Sequence, residues 1–178
     1  CTPDSASPRM IRSLGKNFTH DGLLRAASCI RRHRMPTVWF FLFGGPGEDA
    51  STIDETFDFI DREISPDDLV LMGIGLRVYP RTPLHRIAIR EGVLADSDPL
   101  VEPAFYIAPG LGYDRILDRL HEAAARRPNC LPPGENSASP AMLNEAIEMR
   151  ARDGLAEPMF RTLLRIRRAW PRFAGIEG

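Results

Sequence analysis

Between Val38 and Phe43 the chain runs Val-Trp-Phe-Phe-Leu-Phe with no polar position, then stops at Gly44-Gly45-Pro46-Gly47-Glu48. A run this short and apolar on both faces predicts a buried strand of a parallel sheet covered on both sides. Proline at the second turn position and glycine at the third predict a type II turn across Gly45–Glu48. A second apolar run, Leu69 to Tyr79, predicts another buried strand, weakened at Gly73 and Gly75, where a bulge or close backbone approach is expected. Between the two, Ile53, Phe57, Ile60 and Ile64 fall at helical spacing, behind a capping box read at Thr52 and Glu55.

Upstream, Ser7-Pro8 reads as N-cap and first position of a short helix with Met10, Ile11 and Leu14 on one face, and Thr19 caps a helix carrying Leu23, Ala27 and Ile30. Helix, link and strand therefore alternate in βαβ sense, as in a doubly wound sheet or a barrel. Downstream, Pro83 opens a short helix ending at Gly92, residues 96–112 form an ordered extension around Phe105-Tyr106, and Tyr113 to Arg126 is helical. Pro128 to Pro140 reads as loop, followed by helices over Met142–Arg152 and Pro158–Trp170.

Composition changes this picture little. With 178 residues, 43% hydrophobic and 26% charged, the chain has material for one globular core. No apolar run of about 18 or more residues suggests a membrane span, and no signal peptide is visible, so a cytoplasmic location is expected. A net charge of -1 argues against nucleic acid as the main partner and leaves small molecules. Cys1, Cys29 and Cys130 match no zinc, iron-sulfur or dithiol spacing, and Cys29 reads as a small apolar filler inside a helix. The opening Cys1-Thr2-Pro3-Asp4 looks like the later part of something longer.

Parallel α/β proteins place their sites at the carboxyl ends of strands, which directs attention to Asp4-Ser5-Ala6-Ser7, Gly44–Glu48 and Arg77–Arg81. These segments offer hydroxyls, turn amides, a carboxylate and a guanidinium, a set suited to a polar small molecule. They offer no nucleophile with a base, because His20, His33, His85 and His121 all fall in or beside helix patterns. The glycine turn is no phosphate loop, since it lacks the lysine and hydroxyl of that motif and carries Glu48 and Asp49 instead.

Four blocks in order resemble the later half of the radical S-adenosylmethionine enzyme core: Asp4-Ser5-Ala6-Ser7-Pro8-Arg9-Met10, Leu14–Thr19, Phe43–Glu48 and Gly75–Pro83. The continuation Ala88–Val93, with Pro103–Tyr106 after it, is most similar to members carrying an N-terminal cobalamin-binding domain. The resemblance covers about residues 1 to 110. It implies the later half of a partial TIM-like barrel of six βα units over residues 1–92, with a mainly helical extension over 93–178. It implies that the chain starts at the end of the fourth strand. It also implies S-adenosylmethionine as cofactor, a four-iron, four-sulfur cluster whose cysteine motif lies outside this chain, and cobalamin in a domain likewise outside it. The partner would be the preceding part of the same protein or a separate subunit, with an unknown substrate.

The residues carried over are cofactor-binding rather than catalytic. Asp4, Ser5 and Ser7 match positions reaching the ribose or methionine portion, and Lys16 matches a basic position that meets the carboxylate. Phe43, Gly45 and Glu48 align with the family's G-x-I-x-G-x-x-E pattern near adenine, with Phe41 in place of the first glycine and Phe43 in place of isoleucine. Arg77, Val78 and Tyr79 match the sixth-strand end. Plainer roles stand beside these: Glu48 as holder of the turn amides, Asp4 and Ser5 as a simple turn, Phe43 as core. The alternative function is a non-catalytic α/β domain that binds a partner or effector.

Overall fold

A computed structural model describes residues 1–135 and 138–169. In chain order, α1 (Pro8–Ser13) and α2 (His20–Arg32) lead to β1 (Val38–Phe43), α3 (Ala50–Glu63) and β2 (Leu69–Ile74). After these come β3 (Leu76–Arg77), α4 (Pro83–Arg90), β4 (Phe105–Tyr106), α5 (Tyr113–Arg126), β5 (Cys130–Leu131), α6 (Pro140–Asp153) and α7 (Met159–Ala169). The protein is a mixed α/β fold built on a small parallel sheet of order β1-β2-β5. Residues Cys1–Asp4 flank β1 as a further parallel segment: Phe40 N donates to Cys1 O and Leu42 N to Asp4 O, both at 2.9 Å. The described strands form an open sheet and do not close into a barrel.

The all-apolar β1 splits its residues between two environments. Trp39, Phe41 and Phe43 are buried against α3, where Phe59 meets Trp39 and Phe41 edge-on and Phe57 lies 5.6 Å from Phe43. Leu23 and Ala27 of α2, Ile53 and Ile60 of α3, and Ile116 and Leu120 of α5 complete this core. Val38, Phe40 and Leu42 lie on the other face, beside Leu69, Leu71 and Gly73 of β2, and all are only half-buried. The expectation of cover on both sides therefore holds for one face among the described residues.

Helix ends follow local chemistry. Ser7 and Thr19 cap α1 and α2 as expected, and α5 occupies the range read from its periodicity. The capping box of α3 sits one turn earlier than Thr52: Asp49 is the N-cap and Thr52 the reciprocal partner at the third helical position. The predicted strand over Leu69 to Tyr79 breaks at Gly75, whose φ of 84° turns the chain out of the sheet. A side chain there would meet Phe105 Cβ at 3.2 Å, so glycine lets β3 leave and pair antiparallel with β4.

Two further readings need correction. The stretch from Pro128 to Pro140 contains β5, which extends the sheet beside Val70 and Leu71. Cys29 is exposed, one position off the Leu23–Ala27–Ile30 stripe, whereas Cys130 is the buried cysteine, its thiol pushed up to about 12 by burial. Past residue 92, Ile116, Leu120, Ala123 and Cys130 join the same core as β1 and β2. Of the last predicted helix, Trp170 lies outside the described residues. Among the described residues no helix is long and apolar enough to cross a membrane.

Candidate functional site

The carboxyl ends of the Cys1–Asp4 segment, β1 and β2 lie along one edge of the sheet, and each delivers a polar segment. At the first, Asp4 adopts φ 63°, a left-handed conformation that a short polar side chain tolerates, and its carboxylate pairs with Lys16 Nζ. The Gly15 stop after α1 turns Lys16 back over Asp4. Beside the pair lies an open groove of ≈ 380 Å³ lined by Ile11, Arg12, Phe18, Thr19 and Asp21 together with Lys16. A cation at the rim of such a groove can hold a carboxylate, and the adjacent Asp4 can hold an ammonium group.

Ser5 and Ser7 do not face this groove as free hydroxyls. Both are buried: Ser5 Oγ lies 3.1 Å from Thr56 Oγ1 and accepts from Ser7 N at 3.1 Å, while Ser7 Oγ caps α1. Thr56 was not singled out from the sequence, although its place four residues after Thr52 puts it on the buried side of α3. His20 Nδ1 donates to Ala6 O at 2.8 Å, which fixes the segment against the start of α2.

The turn after β1 has the expected type II form: Glu48 N donates to Gly45 O at 3.0 Å and Gly47 has φ 79°. Glu48 is 5% exposed and accepts from the amides of both Gly44 and Gly45 on Oε2. Burial pushes its carboxyl up to about 7, against the opposing pull of those two amides. Gly45 packs on Met10, Leu14 and Leu76, Ser13 Oγ donates to Pro46 O at 2.6 Å, and Arg9 pairs with Asp49 at 2.5 Å. Phe43 is core, its ring against Phe57.

At the third end, Val78 is buried and donates its amide to Ala104 O at 2.8 Å. Arg77 is exposed and its guanidinium lies 5.1 Å from the centre of the Tyr79 ring, itself 55% exposed. The structure thus brings Asp4 to Lys16, and the Gly45–Glu48 turn to α1. It turns Ser5, Ser7, Phe43 and Glu48 inward, and leaves Arg77 and Tyr79 as an outward-facing pair.

The residues present do not fit an iron-sulfur cluster. Cys1 is at the sheet edge, Cys29 on the outside of α2 and Cys130 in β5, and no three His, Cys, Asp or Glu among the described residues gather into a metal-holding group. Fold and site together define an α/β protein with polar segments after the carboxyl ends of its parallel strands. No family model, curated protein or solved structure matches the chain.

Proposed function

We propose that this chain is the adenosyl-holding later half of a radical S-adenosylmethionine barrel, contributing cofactor binding to a larger catalytic unit. One observation carries the reading. The three resembling blocks, at Asp4–Ser7, Phe43–Glu48 and Gly75–Tyr79, follow the carboxyl ends of three neighbouring parallel strand segments in chain order. The half-buried apolar face formed by Phe40, Leu42 and Leu71 adds support, since it is the face a barrel would enclose.

The charges suit the amino-acid end of the cofactor. Lys16 would take the carboxylate and Asp4 the ammonium group, each replacing the other as partner. Gly45 and the backbone of Arg77–Tyr79 would border adenine. S-adenosylmethionine supplies the adenosyl and methionyl groups when bound; cleavage needs cluster ligands from outside this sequence. A second reading, a non-catalytic α/β binding module, is favoured by the way Ser5, Ser7 and Glu48 spend their polar atoms on the chain itself.

The role of Lys16 separates the two. It is the single lysine among 23 basic side chains, a compact charge where arginine is used elsewhere. Lys16→Ala is expected to weaken S-adenosylmethionine binding by about 1.5–3 kcal/mol, the worth of a hydrogen bond to a charged group. The Lys16–Asp4 pair is part-exposed, so the melting temperature should change little. Isothermal titration of both proteins beside thermal melts checks this; equal affinities with equal melts would favour the module.

A further inference from the structure

The turn after β1 is folded around a single carboxyl group with unequal oxygens. Oε2 of Glu48 accepts from Gly44 and Gly45, the latter at 3.0 Å, while Oε1 is buried with no partner. A carboxylate has acceptor sites on both oxygens, so an ionised Glu48 is held in this turn with one oxygen wholly unsatisfied. The glycines that donate to Oε2 are packed on apolar side chains: Gly45 on Met10 of α1, Leu14 at its C-cap and Leu76 of β3, and Gly44 on Ile107 and on Ile116 of α5.

Among the described residues two charged groups act on Glu48, Arg9 from α1 and Asp49 from the start of α3. Arg9, the one of opposite charge, pairs with Asp49 at 2.5 Å and is not free to neutralise Glu48. The turn is also jointed. Gly44 and Gly47 have φ of 97° and 79°, and the link from Pro46 to α1 is one hydroxyl, Ser13 Oγ at 2.6 Å.

We propose that the Gly44–Glu48 turn is a proton-operated flap: neutral Glu48 keeps it folded against α1, and ionised Glu48 swings into water. Swinging out frees the Gly44 and Gly45 amides as donors for an acceptor group on a bound ligand. In the closed form the proton sits on Oε1 while Oε2 keeps both amides. Burial raises this carboxyl from 4.5 to about 7, so the closed turn binds the proton more tightly than the open one does. Closure is therefore strongest below about pH 4.5 and weakens as the pH rises to about 7. Above that the closed-to-open ratio levels off, lower by on the order of a hundredfold. The flap depends on this turn alone and not on which ligand the edge takes.

The test is a pH titration of the full 178-residue chain by NMR, following the Glu48 carboxyl carbon, the Gly44 and Gly45 amides and the Met10 methyl group from pH 4 to pH 9. The carboxyl is expected to titrate with a midpoint well above 4.5 but below the closed-turn value of about 7, because opening favours the ionised form, and the amide and methyl signals are expected to move with it. In Glu48→Gln, which is neutral at every pH, those signals should stay flat and match the acid form. A carboxyl midpoint near 4.5 overturns the proposal, as does a raised midpoint with Gly45 and Met10 signals that do not move. Should the glutamine variant fail to fold, the wild-type curves decide alone.

Discussion

Replacing Asp68 with alanine is expected to lower folding stability by about 3–5 kcal/mol, the cost of removing one partner of a buried ion pair. Asp68 is 2% exposed and lies where the starts of β1, β2 and β5 converge. Its Oδ1 accepts from Thr37 N and from Arg161 Nη2 of α7, each at 3.0 Å. Its backbone carbonyl accepts from Asn129 Nδ2 at 3.0 Å, and Asn129 O accepts from Val70 N at 2.9 Å. Without the carboxylate, the Arg161 guanidinium is left beside a vacated site with its Nε already lacking a partner. Urea denaturation checks this, and a loss under about 1 kcal/mol would mean that α7 does not depend on the pair. Asp68→Asn keeps an acceptor for Thr37 and should cost less.

Phe41→Ala is expected to cost about 3–5 kcal/mol, the range for emptying a buried aromatic site. The ring is fully buried, stacked 6.5 Å from Trp39 and edge-on to Phe59 at 6.4 Å. Those neighbours are themselves large and fixed by β1 and α3, so the gap has little to collapse into. Phe105, 54% exposed on β4, is the control: its replacement by alanine should stay within about 0.5–1 kcal/mol. Equal losses at the two positions would place the core elsewhere than between the sheet and α3.

Where the fold was legible in the sequence, the information was local. Ser7 before Pro8, Thr19 before His20, and the spacing of Ile116 and Leu120 each decide a helix through neighbours within a turn. The break at Gly75 was signalled by its residue type but not its outcome, because β3 turns to meet Phe105 nearly thirty positions on. Two-residue β5 has no periodicity to read; it exists through pairing with Val70 and Leu71. Asp49 displaced Thr52 as N-cap because both residue types suit either place in a capping box.

The candidate site divides the same way. The type II turn and the double amide contact of Glu48 lie within five residues and could be read from Gly-Pro-Gly-Glu. The Asp4–Lys16 pair and the burial of Ser5 against Thr56 depend on how α1 folds back and how α3 packs, which no local pattern encodes. Asp68 went unnoticed because an Asp-Asp pair after proline reads as a solvated turn, and its partner Arg161 stands 93 positions away.

We propose that the carboxyl edge of this sheet holds the adenosyl and methionyl groups of S-adenosylmethionine. The most direct test is the amide NMR spectrum of the chain titrated with S-adenosylmethionine, which registers even weak binding residue by residue. The account expects shifts concentrated at Asp4–Ser7, Lys16, Gly44–Glu48 and Arg77–Tyr79, with those at Lys16 lost in Lys16→Ala. A spectrum that stays unchanged at saturating ligand, or shifts confined to α6 and α7, would contradict it.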